Sequence, residues 1–362
     1  MVPTRQTDRR AIRGLGRERA RKTRGYWFGL ASRGRGAGVG QFRGGLPVML
    51  KRLGRMQTTL RRHAALSGVG VHSGELVHLT ILPAEAGSGI NFIRTDLEEG
   101  GTIPADHRFV AATESSTRLA ANGASVATVE HLMATLSALE IDNAAIEIDG
   151  PELPVMDGSA AAFIDAVDLA GVVTLPAPRR YIKILKPVRV LSGRSVGELR
   201  PHDGMRIEIE IDFEHSAIGR QVFAADLDPA VFRRELARAR TFGFLADVEK
   251  MWAQGLALGA SLENSIVLGP DRIINPDGLR YDDEFVRHKA LDAVGDLALA
   301  GAPILGCYRS YRGGHRLNTL VLEALFADPD AWTYVETHVR PETGHAEVPG
   351  LVPAVAYGAD IS

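Results

Sequence analysis

The sequence predicts an α+β protein, built as two similar two-layer α/β sandwich domains packed together with the functional site between them. Three observations lead to that expectation. Short segments of alternating apolar and polar residues are followed by stretches of helical periodicity, and this order occurs in both halves of the 362 residues. A proline-rich break, Leu175-Pro176-Ala177-Pro178-Arg179-Arg180, separates the halves. With 45% hydrophobic residues the chain can bury large cores, and it has no apolar run long enough to cross a bilayer. The expected division is a basic extension over 1–56, a first domain over 57–174, a linker over 175–180, a second domain over 181–340 and a loose tail over 341–362.

Charge is unevenly spread. Residues 1–55 carry 15 Lys and Arg against 2 Asp and Glu, which leaves 27 against 42 for the remainder. An acidic body argues against nucleic acid as the main partner. The Gly- and Arg-rich head has no hydrophobic periodicity and is expected to be disordered. It lacks the apolar core of a secretory signal; a transit-type leader and a downstream start at Met49 or Met56 are both open readings. The single Cys307 excludes an intramolecular disulfide framework, fits a reducing, cytoplasmic setting, and reads as a core residue within Ile304-Leu305-Gly306-Cys307-Tyr308.

Taken in order, the elements begin near Gln57. Gly68-Val69-Gly70-Val71-His72-Ser73-Gly74 is a glycine-punctuated turn, after which Val77, Leu79 and Ile81 alternate with His78 and Thr80, so a hairpin is expected. These glycines are no phosphate loop, because neither Lys-Ser/Thr nor a helix follows. Residues 89–94 give another strand, with short β segments continuing to 119. Val129, Leu132, Met133, Leu136 and Leu139 recur at helical spacing behind Thr128, an expected N-cap that stands Glu130 and His131 in the first turn. A strand over 144–149 and a helix over 160–169 complete the first half.

The second half opens with strands over 181–190 and 207–213. Asp228-Pro229 reads as N-cap and N1 of a helix reaching 238. A loop over 240–244, a helix over 246–254, and apolar material over 256–261 and 265–268, read as a strand excursion, come next. A long helix over 282–300 precedes a strand over 304–311. Arg312-Gly313-Gly314-His315 then suits a tight loop presenting His315, and helices are expected over 317–326 and 330–339.

The long helix carries the clearest chemistry. At about 100° per residue, Val286, Ala290, Ala293, Val294 and Leu297 line one stripe while His288, Asp292 and Asp296 stack opposite. An imidazole and a carboxylate four residues apart can grip one divalent metal, although alone they equally suit an ordinary solvated face. Added to His131 beside Glu130 and to His315, they make a candidate site of two imidazoles and one carboxylate with a fourth position open, the arrangement of catalytic rather than structural zinc.

The blocks Thr128-Val129-Glu130-His131-Leu132, Ile141-Asp142-Asn143, Met156-Asp157-Gly158-Ser159, Ala239-Arg240-Thr241-Phe242-Gly243-Phe244, residues 283–296 and Gly314-His315 resemble, in order and spacing, the UDP-3-O-acyl-N-acetylglucosamine deacetylase family. The resemblance covers about 57–340. It implies a zinc-dependent hydrolase of lipid A biosynthesis that removes acetate from the UDP-sugar, with one Zn2+ per chain held by His131, His288 and Asp292. It further implies Glu130 as general base, His315 as general acid oriented by Asp296, Thr241 as oxyanion donor, and Lys289 as a positive charge beside it. Phe242, Lys289 and the segment containing Gly259 and Ser261 would meet the substrate, with 256–268 as the passage for its acyl chain. Where the family carries Cys in the block matching 113–119, this chain has Glu114-Ser115-Ser116, and weaker self-inhibition is expected. A monomer in at most loose contact with a membrane surface is expected, with no regulatory protease or adaptor legible. Two rival readings remain at this point. One is another zinc amidohydrolase or peptidase, though His-Glu-x-x-His is absent; the other is a metal-stabilised binding module with an RNA-binding head.

Overall fold

A computed structural model describes residues 55–98 and 101–336. All but the last two residues of the expected basic extension, and the whole of the expected tail, therefore lie outside the described residues. Strand β1 (Met56–Leu60) precedes β2 (Ala64–Val69) and β3 (Leu76–Pro83), which form the expected hairpin, and β4 (Ile90–Arg94) and β5 (Gly101–Pro104) follow. A small antiparallel sheet of β6 (Val110–Ala112), β7 (Arg118–Ala121) and β8 (Ala124–Val126) leads to helix α1 (Glu130–Ala138), then β9 (Ala144–Ile148) and α2 (Ala161–Ala170). A five-stranded sheet is ordered β2-β3-β9-β4-β5, with β4 and β9 parallel. Alternate residues of β3 and β9, among them Leu79, Ile81, Ile146 and Ile148, are buried, as their period of two requires.

The break over 175–180 is not a free linker. Val172–Pro178 is strand β10, paired antiparallel with β1, and β11 (Arg180–Ile184) starts two residues later. Prolines are tolerated there because this two-stranded ribbon is all edge. Next come β12 (Val188–Ser192), β13 (Ser195–Arg200), β14 (Met205–Asp212) and β15 (Arg220–Asp226). Helix α3 begins at Pro229–Val231 and continues as a π-helical turn over Phe232–Leu236; Asp228 caps it, accepting from the Val231 amide at 2.7 Å, as expected.

Residues 240–244 depart from the expected loop: β16 (Phe242–Phe244) pairs parallel with β17 (Ile266–Leu268), with α4 (Leu245–Ala253) between them. The strand excursion over 265–268 is thus real, whereas 256–261 is a run of turns with Leu256 and Leu258 exposed. Helix α5 (Glu284–Ala298), strand β18 (Ile304–Tyr311), helix α6 (His315–Phe326) and strand β19 (Trp332–Glu336) finish the described chain. The helix expected over 330–339 is wrong: Trp332, Thr333, Tyr334 and Val335 are β-formers, and they pair antiparallel with β11. Strand β18 is the hub of a seven-stranded sheet, antiparallel to β13 and parallel to β14 and β11. Among the described residues no helix is long and apolar enough to cross a membrane.

Helix α5 organises the interior. It packs against β14 and β15 as well as against α1, so both of its faces are covered. His288, Asp292 and Asp296 are therefore at most 2% exposed, which excludes the solvated-face reading. Thr128 does not cap α1 with its side chain. Its φ is +59°, and its hydroxyl donates to Glu152 at 3.0 Å instead.

The two helices touch main chain to main chain at Gly295. A Cβ built there would lie 2.0 Å from the carbonyl oxygen of Glu130. Gly295→Ala is accordingly expected to force α1 and α5 apart and to destabilise the protein by about 1–3 kcal/mol or more. A denaturant midpoint within error of wild type would contradict this packing.

Candidate metal centre

Burying four ionisable residues on one helix costs several kcal/mol each unless every polar atom is satisfied. Glu284 is satisfied: it accepts from the Arg240 amide and Nε, both at 2.9 Å, and from Arg240 Nη2 at 3.1 Å. Asp296 is satisfied as well. Its Oδ1 accepts from Thr117 Oγ1 at 2.6 Å, and its Oδ2 accepts from Asn318 Nδ2 at 2.7 Å and faces His315 Nδ1 at 2.9 Å.

Asp292 is the exception. Lys289 Nζ donates to Oδ2 at 2.9 Å, but Oδ1 is buried and has no hydrogen-bond donor among the described residues. That oxygen lies 3.2 Å from His288 Nε2 and 3.6 Å from His131 Nε2. The ligand atoms of His131, His288 and Asp292 all fall within 4.8 Å of one another. His288 Nδ1 is 3.0 Å from the carbonyl of Ala239, an acceptor, so its ring proton belongs on Nδ1 and its Nε2 presents a lone pair. Burial lowers the His288 pKa to about 4 and keeps the ring neutral. Two lone pairs thus point at one another in a buried cluster, which is the arrangement a cation resolves. Two imidazoles and a carboxylate fit zinc, with room for a fourth ligand.

The proton-transfer candidates stand beside this cluster. Glu130, the first residue of α1, is 3% exposed; its Oε2 accepts from the Thr117 amide at 3.0 Å, and its Oε1 is 3.8 Å from His315 Nε2. Burial raises the Glu130 pKa above the usual carboxylate range, against the pull of His315 and His131. Burial opposes charge on His315 too, but Asp296 and Glu130 outweigh it and raise that group to about 9. Burial would also raise Asp292; His288 and Lys289 instead hold it well below the usual range. His315 is not in a loop. It is the first residue of α6, after Gly314, and is 8% exposed.

A cavity of about 800 Å3 opens onto this cluster. Glu130, His131, His288, Lys289, Asp292 and His315 line its polar end, whereas Leu245, Val248, Met251, Trp252, Val267 and Ile274 line an apolar arm.

The profile of the UDP-3-O-acyl N-acetylglycosamine deacetylase family, LpxC, matches residues 57–327. Curated UDP-3-O-acyl-N-acetylglucosamine deacetylases of Brucella ovis and Brucella melitensis biotype 2 are each 57% identical over 281 residues, covering 77% of this chain and 98% of theirs. This chain belongs to the LpxC family.

Seen as an LpxC member, the chain gathers most of the predicted site residues at one cavity. Thr241, Phe242 and Ser261 line it with Lys289. Phe242 sits edge-on to His288 with centroids 6.4 Å apart, and Lys289 Nζ lies 5.6 Å from the centre of the Phe242 ring. Gly259 and Asp296 do not line the cavity. A Cβ at Gly259 would lie 2.2 Å from the Gly70 carbonyl, so this glycine lets 256–261 pack against the 70–74 turn. Asp296 faces His315 Nδ1 at 2.9 Å through its Oδ2.

Several residues around this cavity had no role assigned from sequence. Arg240 and Glu284 form a buried pair that ties the segment bearing Ala239 and Thr241 to the start of α5. Glu152 accepts from the amides of His72 and Ser73 at 3.0 and 2.8 Å and so shapes the 70–74 turn beside the cavity. Thr117 and Asn318 complete the shell around Asp296. Each pairs with a residue at least 22 positions away, and only the block spacing that marked their partners hinted at them.

Proposed function

We propose that this chain is a zinc-dependent amidohydrolase of lipid A biosynthesis. It hydrolyses the 2-acetamide of UDP-3-O-acyl-N-acetylglucosamine to release acetate and the free amine. The observation that carries this reading is the donorless Asp292 Oδ1 facing two histidine Nε2 atoms, with the Glu130 carboxylate and the His315 imidazole alongside. His131, His288 and Asp292 would hold the ion. Bound there, zinc supplies Lewis acidity, making water acidic near neutrality and polarising the amide carbonyl.

The chain's own groups do the rest. Glu130 accepts the proton of the attacking water at its carboxylate, and its raised pKa suits a base working near neutral pH. His315, held charged by Asp296, donates from Nε2 to the departing nitrogen as the C–N bond breaks. Thr241 offers its hydroxyl to the developing oxyanion, and Lys289 adds positive charge to the same wall. The apolar arm excludes water from the acyl chain, and Phe242 and Ser261 contact the sugar nucleotide.

Removing metal is expected to abolish acetate release from the UDP-sugar, and adding zinc back is expected to restore it. Release that continues in the presence of a strong chelator would sink this reading.

A further inference from the structure

We infer that Thr117 is a positioning residue that aims both proton-transfer groups at the substrate; this rests on the roles proposed above for Glu130 and His315. Thr117 is fully buried, immediately before β7. It reaches two carboxylates on two different helices. Its amide donates to Glu130 Oε2 on α1 at 3.0 Å, and its hydroxyl donates to Asp296 Oδ1 on α5 at 2.6 Å. Its carbonyl accepts from the Val129 amide at 3.4 Å, at the start of α1.

The consequence lies in the oxygens left over. A carboxylate has two, and Thr117 engages one from each partner. Those remaining, Glu130 Oε1 and Asp296 Oδ2, are turned toward opposite nitrogens of His315, 3.8 Å from Nε2 and 2.9 Å from Nδ1. Neither carboxylate can rotate about its last bond without giving up a buried, charge-assisted hydrogen bond. Thr117 therefore fixes the plane of the base directly and that of the acid through Asp296. The amide half survives any side-chain substitution, so variants at this position isolate the hydroxyl and its grip on Asp296. Simple packing would be served nearly as well by valine.

The test compares Thr117→Val with Thr117→Ser in the full-length, zinc-loaded enzyme, using UDP-3-O-acyl-N-acetylglucosamine. Loss of one hydrogen bond to a charged group predicts that Thr117→Val lowers kcat by about 10- to 100-fold. KM and the zinc bound per chain are expected to stay within about twofold of wild type, and Thr117→Ser is expected to recover kcat to within about threefold. In an Asp296→Asn background, Thr117→Val is expected to add less than about a twofold loss, because the two act as one unit. If Thr117→Val does not fold, Thr117→Ala against Thr117→Ser makes the same comparison. The inference is overturned by a valine variant with wild-type kcat, by a serine variant as slow as valine, by an undiminished loss in the Asp296→Asn background, or by a loss traced to zinc content. A wild-type enzyme that released no acetate would overturn the underlying reading instead; active wild type with an equally active valine variant overturns this inference alone.

Discussion

Replacing Glu130 with glutamine is expected to lower turnover by about 10²–10⁴-fold while zinc remains bound. Glutamine keeps the shape of the side chain and can still accept from the Thr117 amide, so α1 should not shift. What it cannot do is take a proton. His131, the next residue, belongs to the candidate metal cluster and is untouched by the change. Measuring kcat together with zinc content separates the two roles, and a variant that kept wild-type turnover would remove Glu130 from the chemistry.

His315→Gln is expected to cost a comparable 10²–10⁴-fold in kcat, at about the same order as any general acid, and to reshape the pH profile. In the wild type the two limbs follow from opposite requirements. Glu130 must be ionised, so the rate falls as pH drops through its raised pKa. His315 must be protonated, so the rate falls as pH rises through about 9. Without His315 the basic limb should vanish while the acidic limb stays. Persistence of the basic limb in the variant would assign the acid to another group.

Much of this site was legible because its residues stand in short local blocks. Glu130 and His131 open a helix whose apolar spacing is plain, and His288 and Asp292 share one face of α5 by simple i, i+4 geometry. Strands β9, β14 and β18 declared themselves through alternation or unbroken apolar runs. What the sequence did not disclose depends on partners far along the chain. Phe242-Gly243-Phe244 becomes a strand only because Ile266–Leu268 lies beside it. Trp332–Glu336 is extended because β11 offers an open edge. Thr128 takes a positive φ to serve Glu152 rather than its own helix, and a propensity rule cannot see that competition. The family resemblance placed Gly259 in a substrate passage, and the absence of a side chain there answers to the backbone of Gly70.

The contact at Gly295 bears on how such a site endures sequence change. Where two helices meet through side chains, their separation tracks whatever residues fill the gap, and each conservative exchange moves it by some tenths of an ångström. Here backbone rests on backbone, so the spacing between the carboxylate at the head of one helix and the candidate ligands along the other is set by atoms that no substitution elsewhere can resize. Exchanges in the surrounding core are then free to alter how tightly the molecule holds together without retuning the distances on which the reaction turns.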